Sequence, residues 1–530
     1  LLVVGSYRAE ALGEAHPLWP QLEALRTERV ATTVLALRPL QLGDVTALLA
    51  EALSMPPGEV AELAAAVQGK TDGNPYFIGQ FLGGLDRDGL LRYSPAGQRW
   101  TWLLARIQAL PATDNVADIM LAKLRHLSPP AMTLLQTAAC VGVQFELDTV
   151  AQLCAMSHGE RSEALAEAMR AELLLSPDSA AYLASPAPPS QADGSAPEPS
   201  GEPGVVFKFL HERVQQSIYA TLDAVKRQDC HLRLGKLRLA QWGQDAPTGR
   251  LFDLVNHLNL GSPRMRDSGD AAGLLALARL NLLAGKRAKA TAAFHAAVGF
   301  FTAGTTLLPE SAWGDQHELL FELYLERAHT ESLNGYFPEA EALLLALQKH
   351  ARTAVEHGLV SLRLCELYYA RADFATSTQV GLEGLLQLGM KMPPLDEAIP
   401  SFFAERAEIG RALAGRTIAE LVHLPINQSA EIDVTVRLIV ALASPAYIAG
   451  SPLYPLLMAR QITLALRHGL CEQTSYACAA YAFLLTLVFG EPAAGYEFGQ
   501  LALAMNERLA SGNMACRIRL PLGSLLHFCS

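Results

Sequence analysis

Apolar residues change their spacing along the chain, and each change predicts a different element. Leu1-Leu2-Val3-Val4-Gly5-Ser6-Tyr7-Arg8 is an apolar run closed by polar residues, and residues 30–37 form a second, β-branched run that ends at Arg38-Pro39. Both predict strands, and the charged segment between them predicts the helical connection of a parallel sheet. From residue 41 the period becomes helical: Leu42, Val45, Leu48, Leu49 and Leu53, then Val60, Leu63 and Val67, recur on one helix face. Asn74-Pro75 starts another helix, since proline costs nothing in a first turn, and Gly89 ends it. Residues 90–93 and 99–103 predict a hairpin with Trp100 and Trp102 on one face.

Beyond residue 113 the pattern alternates between helices and short apolar runs. Helical spacing covers 116–127, 130–140, 147–153 and 160–171, followed by strand-like runs at 173–175, 182–183 and 205–209 and a final helix from about His211. Helices leading into a few strands is the order of a winged helix. Residues 185–204 hold many prolines with Ser, Gly and Ala and no aromatic residue, so they predict a disordered loop at the wing. After about 226 the chain reads as helix almost throughout. Gly285, Ala290, Phe294 and Ala297 fit the turn glycine and packing positions of a tetratricopeptide-like hairpin, Gly335, Ala340, Leu344 and Leu347 repeat those offsets, and Ala372-Asp373-Phe374 marks a weaker third unit.

The expected architecture is therefore mainly α. It comprises a truncated α/β ATPase-like remnant over 1–40, a helical lid with hairpin over 41–112, a winged helix over 113–225 and a helical-repeat solenoid over 226–530. The chain starts inside a strand and without Met, which predicts a piece of a longer protein. With 530 residues, half of them hydrophobic, it has material for several cores. A net charge of -11 opposes polyphosphate binding. Eight scattered cysteines contain no CxxC pair and read as reduced, mostly buried thiols. The uncharged stretches 438–459 and 473–490 invite a membrane reading, but Pro445, Pro452 and Pro455 in the first and the polar opening of the second favour buried helices.

No GxxxxGK[ST], HExxH or GxSxG is present. Gly235-Lys236 and Gly285-Lys286 lack the other P-loop residues and read as ordinary helix or turn, while Gly490, Gly495 and Gly499 read as close helix packing or a turn. Three places carry more. Arg8 closes a strand at the carboxyl edge of the expected sheet, where a guanidinium can read a terminal phosphate or simply face solvent. In Thr71-Asp72-Gly73-Asn74-Pro75, a base can pack on the proline corner, or Asp72 or Asn74 is only a helix cap. His211 stands where a strand becomes a helix, placing an imidazole and free N–H groups at one point, either for an anion or as a cap.

Taken in order, LLVVGSYRAE, HPLWPQLEAL, LRPLQLGDVTALL, TDGNPYFIGQFL, WTW, DNVADIMLAKLRHLSP, TAACVGVQFELDTVA, FKFLHERVQQSIYATL, LPINQSAEIDVTVRLIVALASPAYIAGSPLYPLL and GYEFGQLALAMNERL resemble the predicted ATPase and helical region of large bacterial signalling proteins. These join a serine/threonine kinase-like domain to GAF and sensor histidine kinase domains. The family belongs to the signal-transduction ATPases with numerous domains, relatives of AAA proteins. The resemblance implies a cytoplasmic regulatory switch using ATP/ADP with Mg2+ in the complete protein. Arg8 would be its sensor arginine, Asn74 and Pro75 of the GNP motif its adenine-side contact and His211 its phosphate-facing histidine. It implies protein partners on the helical repeats and adjacent kinase domains, with no nucleic acid and no membrane span. The Walker A lysine and Walker B acids are absent from this stretch, so hydrolysis by the chain alone is not expected.

Two other classes stay open. A transcription regulator would use the winged helix on DNA, yet Glu160, Glu163, Glu167 and Glu172 outnumber Arg161 and Arg170 around its recognition helix. A nucleotide-independent interaction scaffold is what remains if no phosphate loop precedes residue 1.

Overall fold

The computed structural model describes residues 33, 35–95, 97–110, 124, 127–175, 206–243, 247–413, 415–509, 512 and 514–529. The chain divides into two compact units, Leu1–Leu222 and Asp223–Ser530, both dominated by helix.

In the first unit, α1 (Leu42–Leu53), α2 (Pro57–Thr71) and α3 (Pro75–Arg87) precede the hairpin β1 (Leu91–Ser94) and β2 (Arg99–Trp102) and the short α4 (Leu104–Ala109). Their helical period is matched by burial: Val45, Leu49, Val60, Leu63 and Val67 are shut off from solvent, joined by Ile78 and Leu85 of α3. The hairpin register sets Leu91 opposite Trp102 and Tyr93 opposite Trp100, so both tryptophans pack on the same cluster. The strand expected over 1–8 lies outside the described residues. The one expected over 30–37 is corrected where it is described: residues 33 and 35–37 form no strand, and Leu35 and Leu37 are 82% and 96% exposed. An apolar strand persists where a neighbour satisfies its ladder and covers a face, and no described strand lies beside it.

The second part of this unit runs α5 (Pro129–Val141), β3 (Gln144–Glu146), α6 (Leu147–Cys154), α7 (His158–Arg170), β4 (Leu174–Leu175), β5 (Val206–Phe209) and α8 (Glu212–Ala220). The sheet is antiparallel with strand order β3-β5-β4. Alternation along β5 buries Phe207 and Phe209 and leaves Val206 and Lys208 outward. β3 escapes the hydrophobic pattern because Gln-Phe-Glu offers a single apolar residue. The expected helix over 116–127 is described only at 124 and 127, and the 182–183 run and the 185–204 loop fall outside the described residues, in the β4–β5 connection.

The second unit is helical: α9 (Ala224–Trp242), α10 (Thr248–Asp267), α11 (Ala271–Ala290), α12 (Phe294–Leu307), α13 (Ala312–Asp315), α14 (His317–Leu333), α15 (Phe337–Gln348), α16 (Ala354–Ala370), α17 (Phe374–Gln387), α18 (Ala398–Ala412), α19 (Ala430–Ile448), α20 (Leu453–His468), α21 (Thr474–Leu487), α22 (Pro492–Arg508) and α23 (Ala515–Cys529). Helices α11/α12, α14/α15, α16/α17 and α21/α22 form consecutive hairpins. At their turns Ala292, Gly335, Ala372 and Gly490 all take positive φ. Five, nine and twelve residues on, each second helix packs Ala297, Phe301 and Gly304; Ala340, Leu344 and Leu347; Ser377, Gly381 and Gly384; or Gly495, Gly499 and Ala502 into its core.

This frame corrects the expected first repeat. Gly285 is not its turn glycine but lies within α11, where an added Cβ would stand 2.4 Å from the Phe301 ring. The position of the turn glycine is held by Ala292, at about 1 kcal/mol of left-handed strain. The 438–459 stretch is split between α19 and α20, and no described helix is long and apolar enough to cross a membrane.

Candidate functional site

The Gly73-Asn74-Pro75 corner is built by backbone geometry. Asp72 ends α2 in the left-handed region at φ 47°, Gly73 follows at φ 69°, and the Leu40 N–H donates to the Gly73 carbonyl at 2.8 Å. An added Cβ on Gly73 would stand 2.0 Å from the Leu40 carbonyl oxygen, so no other residue fits between the incoming chain and the turn. Asp72 is therefore a C-cap, and it is the Asn74 carbonyl that accepts the Ile78 N–H and opens α3. Asn74 and Pro75 are both exposed, which leaves the proline face open to a flat apolar group.

His211 is the N-cap of α8, with extended backbone at φ -148° and ψ 147°. Its Nδ1 accepts the Arg213 N–H at 3.1 Å. A ring that accepts through Nδ1 carries its neutral-form proton on Nε2, and this half-buried imidazole stands at the positive end of a helix. Nδ1 thus fills the cap role.

Phe77, in the first turn of α3, packs against the cluster that contains Val214 and Ile218 of α8. Both candidate helix starts are therefore anchored to one core. Arg8 lies outside the described residues. Among the described residues no group of His, Cys, Asp and Glu is arranged to hold a metal ion. The described residues supply no phosphate loop.

On α7, Glu160 closes a capping box with Ser157, and the Glu167 carboxylate accepts the Ser128 N–H at 2.8 Å and also its hydroxyl. These bonds hold both carboxyls below the usual Glu range, the hydroxyl bond being the larger cause in each. Arg161 faces Asp148 at 3.4 Å. The helix that would enter a DNA groove is thus acidic, and two of its glutamates serve as caps. The sequence gives no sign of a cavity in the second unit with mixed apolar and polar walls, because its wall residues come from helices far apart in the chain and share no motif.

No protein-family profile matches the chain. It is 22% identical over 562 residues to hybrid signal transduction histidine kinase G of Dictyostelium discoideum, a match covering 96% of this chain and 16% of that protein. The chain is similar to a signalling protein of which it spans only that small fraction. The crystal structure of a Signal Transduction ATPase with Numerous Domains (STAND) protein with a tetratricopeptide repeat sensor, from Pyrococcus horikoshii, is matched over 93% of this chain and 72% of that one, at 11% identity and a TM-score of 0.29. A score that low carries no fold assignment.

Proposed function

We propose that this chain is the nucleotide-switch and sensor segment of a longer multidomain signal-transduction kinase. The similarity to a hybrid histidine kinase along nearly the whole chain carries the reading. In it, Pro75 and Asn74 contact the base, His211 donates through Nε2 to a phosphate oxygen, and Arg8 reads the terminal phosphate. ATP or ADP with Mg2+, when bound, supplies the phosphate whose presence or loss distinguishes two states. The chain's own residues bind and orient, and no hydrolytic step is assigned to them. The helical unit engages a protein partner or ligand and biases the same two states, so each site changes the other's affinity by the same factor. Output passes to histidine kinase domains outside this chain.

Titration of labelled ADP into the longer parent protein tests the assignment. A charge-assisted hydrogen bond is worth about 1.5–3 kcal/mol, so His211→Ala weakens ADP by about tenfold or more. Unchanged affinity removes this histidine from the site. One rival is a nucleotide-independent scaffold, and it prevails if neither protein binds ADP. A DNA-binding regulator has less support, since α7 carries more acidic than basic residues.

A further inference from the structure

In the second unit, α14, α16, α19 and α23, the start of α15 and the residue before α21 line a half-open cavity of about 610 Å³, within the range of small-molecule sites. Its walls mix apolar side chains, among them Phe337, Tyr369 and Met514, with Arg437, Arg517 and Gln473. Three observations define what it would hold. Gln473 is 8% exposed, and its Oε1 has no hydrogen-bond partner among the described residues. A buried acceptor left unpaired is costly, so the site lacks a donor. The ion-pair partner of Arg437 is Asp433 of its own helix, at 3.6 Å, beyond hydrogen-bond length, and Arg517 has none among the described residues. The other charged groups are already engaged: Glu366 takes a hydrogen bond from Arg363 at 2.6 Å. His329 is held neutral, pushed down to about 2 by burial and by Arg363, Lys289 and Arg437, with Lys289 within 2.8 Å of its Nδ1.

We propose that this cavity binds a small organic carboxylate that also carries an N–H or O–H donor, the chemistry of an amino acid or hydroxy acid with an apolar side chain. The guanidiniums of Arg437 and Arg517 take the carboxylate, Gln473 Oε1 takes the donor, and the aromatic and Met514 walls cover the side chain. A cavity of this volume admits a molecule of that size and not a helix or long peptide. The inference deepens the reading of the helical unit as the sensing element and rests on it only for what binding does, not for whether it occurs.

The test titrates the full chain with L-phenylalanine, L-phenyllactate, hydrocinnamate and phenethylamine, read by saturation-transfer NMR and thermal unfolding. Phenylalanine and phenyllactate bind saturably, hydrocinnamate binds about tenfold more weakly for want of the donor, and phenethylamine does not bind. Gln473→Leu, which deletes an unpaired polar atom and so keeps the fold, closes the gap between phenyllactate and hydrocinnamate. Arg437→Gln and Arg517→Gln weaken both carboxylates. Silence across all four compounds, equal binding of all four, or no effect of the variants each overturns the proposal. ADP affinity of the parent is read separately, so failure here leaves the nucleotide reading standing and the reverse also holds.

Discussion

Acidification gives a sharp test of the packing between α9 and α10. His231 and His257 are 3% and 7% exposed, stack at 5.1 Å and bring their Nδ1 atoms to 2.9 Å. A bond between two Nδ1 atoms needs one donor and one acceptor, so a proton added to the accepting Nδ1 sets donor against donor. Burial depresses both rings, to about 4 for His231 with help from Arg227 and to about 3 for His257 with help from Arg238 and His231 itself. Asp253 Oδ1 stands 3.6 Å from His257 Nε2 but pairs with Arg238, and it does not offset the burial. Because the folded-state values lie below the ordinary 6.5, the contribution is fully present above pH 6.5 and is lost as pH falls below it. At pH 5 the unfolded rings are protonated and the folded ones are not, a difference of about 1.5 pH units, or about 2 kcal/mol for each ring. The assay is urea unfolding at pH 7 and pH 5 beside a His231→Asn/His257→Asn variant, patterned on the Asn259–Asn281 amide pair that already bridges α10 and α11. His329 and the carboxylates contribute equally to both proteins, so the difference isolates the pair. The wild-type chain should lose about 4 kcal/mol more than the variant. Equal losses would refute the neutral-pair account.

The repeat frame makes opposite predictions for chemically similar swaps. Ala292→Gly and Ala372→Gly, which relieve left-handed alanines at φ 58° and 60°, each stabilise the second unit by about 1 kcal/mol, whereas Gly335→Ala at φ 84° costs about as much; thermal unfolding of the three variants reads the signs. Gly285→Leu forces a side chain into the Phe301 ring and costs about 3 kcal/mol or more, with no comparable loss at exposed Gly299. Gly73→Ala meets both a positive φ and the Leu40 carbonyl, so hydrogen exchange should show α3 and its preceding turn opening while β3 and β5 stay protected. Ser128→Ala removes the α5 cap and the hydroxyl bond to Glu167, at about 1–2 kcal/mol in urea unfolding.

Legibility followed the length of each signal. Helices with several turns of 3.6 spacing, such as α1 and α2, lie close to where the apolar pattern puts them, and the tryptophan hairpin forms where alternation and a Ser-Pro-Ala-Gly-Gln turn agree. β3 is too short to alternate. The repeat frame slipped at Gly285 because a glycine can serve a turn or a close helix crossing, and only the packing of Phe301 separates the two. At the candidate site, the sequence located Asn74, Pro75 and His211 at helix starts, but the roles of Asp72 as C-cap and of His211 Nδ1 as acceptor depend on φ angles and ring orientation that spacing does not encode. The cavity of the second unit was invisible because Arg437, Gln473 and Arg517 meet only through tertiary packing.

The central claim is that the starts of α3 and α8 face one bound nucleotide, and hydrogen exchange on the longer parent protein, with and without saturating ADP, tests it most directly. The account predicts slowed exchange in the first turns of both helices, at 74–80 and 211–217, and loss of that protection in α8 on His211→Ala. Protection of neither segment, or of one alone with His211→Ala indistinguishable from wild type, would contradict it.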